Sequence, residues 1–218
     1  MPEPRALIFD FDGLIFDTET AIYEAWREIY VAHGFPLTLE TWAQCVGSDF
    51  GHYDPVKDLE TLLGRTLDWK PLGEQRRAYV TKVLEGSDPM PGVRQRVQEA
   101  REHGIPCAVA SSSTHEWVDG WLKKLGLFEF FSNVTCLEDT GKVKPDPSLF
   151  LHAARQLDVL PQNAVVLEDS LNGLRAAHAA EMRCVIVPCA VTQHLVFPGA
   201  WKQLRSLEEA TTLELCGA

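Results

Sequence analysis

Ala6-Leu-Ile-Phe9-Asp10-Phe11-Asp12-Gly13-Leu-Ile-Phe16-Asp17-Thr18 is a short apolar run that ends in two carboxylates and a glycine turn. Residues two apart on an extended chain point the same way, so Asp10 and Asp12 can address one centre while Phe9 and Phe11 face elsewhere. Converging carboxylates repel unless a cation, a proton or a catalytic task holds them together. Taken alone, Asp-x-Asp-Gly also occurs in surface turns, and the rest of the chain has to decide between the two.

Outward from this run the chain has two textures. From about Met90 onward, short β-rich runs (Cys107–Ala110, Asn133–Cys136, Ala164–Leu167, Cys184–Val187) alternate with amphipathic stretches near Val93–His103, Thr114–Leu125, Pro147–Leu157 and Ser170–Ala180. With Ala6–Asp10 this is the pattern of an α/β fold whose parallel sheet is covered on both faces. Between Phe16 and Pro89 the β-runs vanish. Thr20–His33, Thr38–Val46, Pro55–Leu63 and Leu72–Leu84 instead carry apolar residues three and four apart, the spacing of helices. The predicted organisation is a core of residues 1–15 and 90–218 with a four-helix insert at 16–89. A helix is also predicted near Leu207.

Composition narrows the classes. With 218 residues, 45% of them hydrophobic, the chain can bury a sizeable core. No apolar run approaches the roughly 20 residues needed to cross a bilayer, and the first residues lead into a strand rather than a basic signal segment, so a cytoplasmic location is expected. Six cysteines without Cys-x-x-Cys spacing lie mostly in apolar contexts and read as buried, reduced thiols. The net charge of -11 argues against a nucleic-acid partner and requires local positive charge to draw in any phosphate ester. Nothing demands an oligomer, and a monomer is expected.

In an open parallel sheet ligands bind beyond the carboxyl ends of the strands, where this chain places its polar clusters. Ala108-Val-Ala110 runs into Ser111-Ser112-Ser113-Thr114 and a helix, offering hydroxyls and unpaired N–H groups to an anion, or simply an N-cap at Ser113 or Thr114. Gly141-Lys142-Val-Lys144-Pro145-Asp146-Pro147 places two lysines before a proline-stiffened turn, and either could be merely solvated. Val165-Val-Leu167 ends in Glu168-Asp169-Ser170, where acidic residues could also serve the helix dipole.

In this order and spacing the four motifs resemble the haloacid dehalogenase superfamily, over nearly the whole chain. The insert is similar to that family's small α-helical cap, and the nearest subgroup is that of sugar-phosphate phosphatases and β-phosphoglucomutases. The resemblance implies a Rossmann-like core under a mobile cap. It implies Asp10 as the nucleophile that forms an aspartyl-phosphate and Asp12 as general acid and base. It also implies Mg²⁺ held by Asp10, the carbonyl of Asp12 and Asp169, with Glu168 as a further ligand or as a carboxylate supporting the ligands, a phosphoryl group held by Ser111 and the N–H of Ser112, and Lys144 neutralising both phosphoryl group and nucleophile.

The expected activity is hydrolysis of a small phosphorylated metabolite, a sugar phosphate. Asp12 speaks against halide displacement, since true dehalogenases lack that residue. A mutase is the alternative, but Ile22 stands where the mutase pattern carries a histidine, and Phe50 where it carries an arginine. A phosphometabolite-binding regulator without turnover is a second alternative, opposed by the complete set of catalytic residue types. In the insert, Phe50, His52, Arg76 and Arg77 are candidates to face the leaving group, and each could equally be exposed or merely packed.

Overall fold

The computed structural model describes residues 6–42 and 53–217. In chain order these form β1 (Ala6–Phe9), α1 (Thr18–Ala32), α2 (Leu39–Trp42), α3 (Pro55–Leu63), α4 (Trp69–Leu84), α5 (Val93–Glu102), β2 (Cys107–Ala110) and α6 (His115–Lys124). They continue with β3 (Asn133–Thr135), α7 (Leu137–Thr140), α8 (Ser148–Gln156), β4 (Ala164–Glu168), α9 (Leu171–Ala179), β5 (Arg183–Ile186), β6 (Lys202–Gln203) and α10 (Thr212–Cys216).

The strands make one sheet in the order β3-β2-β1-β4-β5-β6, every pair parallel. Ile8 lies opposite Ala108 on one side and Val166 on the other, which puts β1 at the centre. The chain runs outward from β1 through β2 and β3 to one edge, and from β4 through β5 and β6 to the other. The order therefore reverses between β1 and β4, and the crevice beyond their carboxyl ends is where such a sheet binds ligands.

Alternation along the strands builds two cores. Leu7, Phe9, Val109, Val165 and Leu167 face one side. Ala6, Ile8, Ala108, Ala110 and Val166 face the other, where small residues admit Ala153 and Ala154 of α8 and Ala176 and Ala177 of α9. Trp26, Ile29, Tyr30, Leu37, Trp42 and Leu59 form a third cluster within the insert, joined by Cys189 and Val191. Ala21 and Ala25 of α1 and Val80 and Leu84 of α4 belong instead to the first core, so the insert is rooted in the sheet layer. At its neck the N–H of Met90 donates to the carbonyl of Ile15 at 2.9 Å.

The predicted strands and helices appear within a few residues of their expected bounds. Helix α4 begins at Trp69 rather than Leu72, because Asp68 caps it and Pro71 falls in the first turn, where no N–H is required. Of the predicted Thr38–Val46 helix the structure shows Leu39–Trp42, with Thr38 just before it, and residues 43–46 lie outside the described residues. The edge strand β6 has two residues, too short for any alternation to announce it. Near Leu207 a single 3₁₀ turn precedes α10. Cys107, Cys136, Cys184, Cys189 and Cys216 are buried and free, as expected, while Cys45 lies outside the described residues. Among the described residues no helix is long and apolar enough to cross a membrane.

Candidate active site

The reversal between β1 and β4 brings two acidic strand ends together. The N–H of Asp10 donates to the carbonyl of Leu167 at 2.9 Å, so Asp10 leaves the sheet beside Glu168 and Asp169. Lys144, from the loop before α8, is 3% exposed and binds both carboxylates: its Nζ pairs with Asp10 Oδ1 and, at 2.8 Å, with Glu168 Oε1. Lys144 Nζ also lies over the ring of Phe150, 4.7 Å from its centroid. Lys142, the other lysine of this motif, is exposed and pairs with Asp146 at 2.9 Å. Glu168 Oε2 accepts from the N–H groups of Asp169 and Ser170, each at 2.8 Å, and from Ser170 Oγ at 2.9 Å. A Cβ at Gly173 would lie 1.8 Å from that carboxylate, so only glycine allows α9 to approach it.

Asp12 has a different setting. Gly13, at φ 83°, turns the chain so that Asp12 bridges to Phe16, and a Cβ at Gly13 would strike Asp169 Oδ2 at 2.3 Å. Asp12 Oδ1 accepts from Thr18 Oγ1 at 2.7 Å and Trp117 Nε1 at 3.0 Å. Its Oδ2 accepts from Ser113 Oγ at 2.7 Å and Ser111 Oγ at 3.3 Å. Ser113 thus serves Asp12, and the cap at Thr114 makes no side-chain bond to α6. The Glu138 carboxylate accepts from the N–H of His115 there, at 3.1 and 3.2 Å. Ser112 Oγ accepts from the N–H of Lys144 at 3.2 Å, tying the serine turn to the lysine loop.

These residues line one cavity of about 540 Å³ that opens between sheet and insert. The structure places Asp10, Asp12, Ser111, Ser112, Lys144, Glu168 and Asp169 on it, with Arg76 and Arg77 from α4 on the insert side. Phe50 and His52 lie outside the described residues. Trp117 and Glu19, which no motif singled out, line it as well. Trp117 stacks edge-on against Trp121 at 5.8 Å, and Trp121 packs on Phe16 at 5.2 Å, so one aromatic ladder fixes both the indole N–H and the turn carrying Asp12. A tryptophan six residues after Ser111 carries no recognisable signal in sequence, because its target lies across 105 residues of chain.

Residues 7–187 match the family described as haloacid dehalogenase-like hydrolase. The chain belongs to that family. It is 42% identical over 205 residues to YhcW of Bacillus subtilis (strain 168), covering 94% of this chain and 93% of that protein. It is 30% identical over 240 residues to hexitol phosphatase B of Escherichia coli (strain K12), covering all of both. Among solved structures, CbbY from Rhodobacter sphaeroides in complex with phosphate superposes with a TM-score of 0.77 at 28% identity, over 99% of this chain and 100% of that one. This hydrolase is an enzyme of the phosphatase kind.

The electrostatics of the hydrolase site are those of crowded carboxylates. Burial pushes the carboxyl of Asp10 up to about 8, with Glu168 and Asp12 adding to the rise against the pull of Lys144. Burial and the charge of Glu168 likewise raise Asp169. Burial opposes the charge on Lys144, but Asp10 and Glu168 outweigh it and hold the ammonium above its usual range. Carboxylate oxygens of Asp10, Glu168 and Asp169 lie within 4.8 Å of one another. Hard oxygen donors with one ammonium between them fit a hard divalent cation such as Mg²⁺. Glu168 already spends both oxygens on Lys144 and on Asp169 and Ser170, so Asp10 and Asp169 are the members of the cluster with oxygens left for such a cation. The Asp12 carboxylate is not part of this group.

A pH dependence follows. Burial, Asp12 and Asp10 raise Glu19 from 4.5 to about 8, so the folded protein keeps a proton that the unfolded chain has lost. A native state that binds more protons loses stability as pH rises, and Asp10 acts in the same direction. The metal-free protein is expected to melt several degrees lower at about pH 8 than at about pH 5.5, at roughly 2–4 °C per kcal/mol. A divalent cation bound by this cluster would compete with these protons and raise the melting temperature more at the higher pH. Melting curves that are flat or rising over this range, without metal, would count against the crowded-carboxylate account.

Proposed function

We propose that the protein hydrolyses a small phosphorylated metabolite, a sugar phosphate, through an aspartyl-phosphate on Asp10. The observation that carries this reading is the contrast between two carboxylates two residues apart. Asp10 lies against Lys144 in a buried cluster, whereas Asp12 is held at the cavity wall by four side-chain donors. Separate environments for paired carboxylates are how one site divides nucleophile from acid and base.

An oxygen of Asp10 attacks phosphorus in line while the ester P–O bond breaks. Asp12, carrying a proton, gives it to the leaving alkoxide and later takes one from a water. That water's oxygen then displaces Asp10 from phosphorus and releases inorganic phosphate. Ser111 and the N–H of Ser112 hold phosphoryl oxygens, and Lys144 offsets the charge on Asp10 and on the phosphoryl group. Asp10 and Asp169, with the Asp12 carbonyl and Glu168 beside them, would hold Mg²⁺, which would supply charge neutralisation for a dianionic ester. Residues 16–89 act as a cap over this site, consistent with the neck bond between Met90 and Ile15. Ile22 lines the cavity where the mutase pattern has a histidine, which favours hydrolysis over phosphoryl return to the sugar. A monomeric, cytoplasmic enzyme without nucleic-acid partners completes the reading, supported by the acidic charge and the buried free thiols.

The test is phosphate release from a panel of sugar phosphates before and after chelation. Release should fall at least about 10³-fold without divalent metal and return with Mg²⁺, the scale of losing a principal transition-state charge. Full activity in the chelated sample would refute the metal-dependent mechanism.

Trp117 is assigned to positioning Asp12. Trp117→Phe removes the N–H but keeps the ring ladder, and should lower kcat about 10-fold on alkyl phosphates, the scale of one hydrogen bond to a charged group. Aryl phosphates, whose leaving groups need little protonation, should lose much less. An equal loss on both classes would indicate a general structural defect instead.

A further inference from the structure

The three carboxylates at the ends of β1 and β4 are not held alike. Lys144 pairs with Asp10 and Glu168, and Glu168 also takes the N–H groups of Asp169 and Ser170. Among the described residues no cation pairs with Asp169, although it is as buried as Glu168. Its partner is a hydroxyl from a distant part of the chain: Thr192 Oγ1 donates to Asp169 Oδ2 at 3.3 Å. Thr192 is wholly buried and is not among the residues that line the cavity.

Thr192 sits in the loop that follows β5. With its one proton given to Asp169, its oxygen accepts from the N–H of Cys189 at 3.1 Å, and Cys189 Sγ lies 3.4 Å away. The N–H groups of Thr192 and Gln193 return to the carbonyl of Cys189 at 3.1 and 2.9 Å, which closes the loop on itself. Burial and the charge of Asp169 hold the Cys189 thiol above its usual range, so the cysteine brings no charge to the site. On its other side the loop has an apolar seat: Cys189 and Val191 belong to the buried cluster of Trp26, Tyr30 and Trp42 in the insert. The hydroxyl is therefore held by the hydrogen bonds of its own loop and by the packing of that loop on the insert.

A lysine in place of this hydroxyl would neutralise Asp169 and compete with a metal ion. A neutral donor fixes the plane of the carboxylate and leaves its charge in place, as the hydrogen-bond partners of metal-binding carboxylates do. Gly13 supports the same geometry from another side, since a Cβ there would come within 2.3 Å of the same Oδ2. We propose that Thr192 is a positioning residue for the divalent cation: it holds Asp169 in the orientation that binds metal, from a loop seated on the insert. The proposal rests on the reading above of Asp169 as a donor to that cation.

The experiment measures Mg²⁺ binding to metal-free protein by calorimetry for the unaltered chain, Thr192→Val, Thr192→Ser and Asp169→Asn. Thr192→Val keeps the volume and removes the hydroxyl, and should raise the Kd for Mg²⁺ about 10- to 100-fold, the scale of losing the hydrogen-bond partner of a metal ligand. Thr192→Ser keeps the hydroxyl and loses a methyl group, and should stay within about threefold of the parent if orientation rather than packing is what matters. The Mg²⁺ concentration for half-maximal phosphate release should move with the Kd. Equal Kd values for the parent and Thr192→Val, or equal losses in Thr192→Val and Thr192→Ser, overturn the proposal and leave the metal reading intact. A parent that binds no Mg²⁺, or an Asp169→Asn variant that binds it as tightly as the parent, overturns the metal reading of Asp169 and the proposal with it. Hydrogen exchange of the unaltered protein decides the case in which Thr192→Val does not fold. Mg²⁺ should slow exchange of the amides of residues 189–193, and an unchanged rate there overturns the proposal.

Discussion

Asp10→Asn is expected to reduce phosphate release by about 10⁴-fold or more, the usual cost of deleting a nucleophile that works within a unit. The amide keeps the shape of the carboxyl and the backbone bond from Asp10 to Leu167, so the fold should persist. One charge also leaves a cluster in which Glu168 and Asp12 push the Asp10 carboxyl upward, so the metal-free variant should melt no lower than the parent. Burst kinetics and mass spectrometry of rapidly quenched parent enzyme should reveal a phosphate adduct that maps to the peptide containing Asp10. A variant within tenfold of parental turnover would remove Asp10 from the chemistry and leave Asp12 or Asp169 to be considered.

Lys144→Ala is expected to have the largest effect on stability. It strips the shared cation from Asp10 and Glu168, each nearly inaccessible to water, and leaves the Asp10 carboxyl and Glu168 Oε1 buried without a counter-charge. Removing one member of a buried ion pair costs about 3–5 kcal/mol. That corresponds to a melting temperature lower by roughly 10 °C for a chain of this size. Phosphate release should be lost as well. Added Mg²⁺ should recover part of the stability, since it supplies positive charge to the same oxygens, but not the turnover. A melting temperature unchanged within error would mean that the buried carboxylates are protonated rather than paired.

The two substitutions separate what the neighbouring residues do. Both touch the same cluster, so their effects should not add: once Asp10 is an amide, less negative charge remains to be left unpaired by the loss of Lys144. The double variant Asp10→Asn/Lys144→Ala should therefore be more stable than the sum of the single losses.

Much of this was legible in the sequence by itself because the signals are local. Period-two apolar runs and helical spacings are properties of ten or so consecutive residues, and they determined a parallel α/β sheet with a helical insert after β1. The sheet rule then located the site, since polar clusters that follow β-runs must lie at strand ends. Lys142 and Lys144 are two residues apart in the same turn; the residues alone left the choice open, the resemblance implied Lys144, and the tertiary structure shows the physical difference: one pairs with Asp146 at the surface and the other reaches the ends of β1 and β4. Only the tertiary structure turned Ser113 from a helix cap into a partner of Asp12, and brought Trp117 and Glu19 to the cavity. The roles of Ser113 and Trp117 depend on contacts closed across about a hundred residues of chain, as between Asp12 and Trp117. A donor chosen by packing between distant elements leaves no periodicity and no spacing behind, so it has no local signature to read.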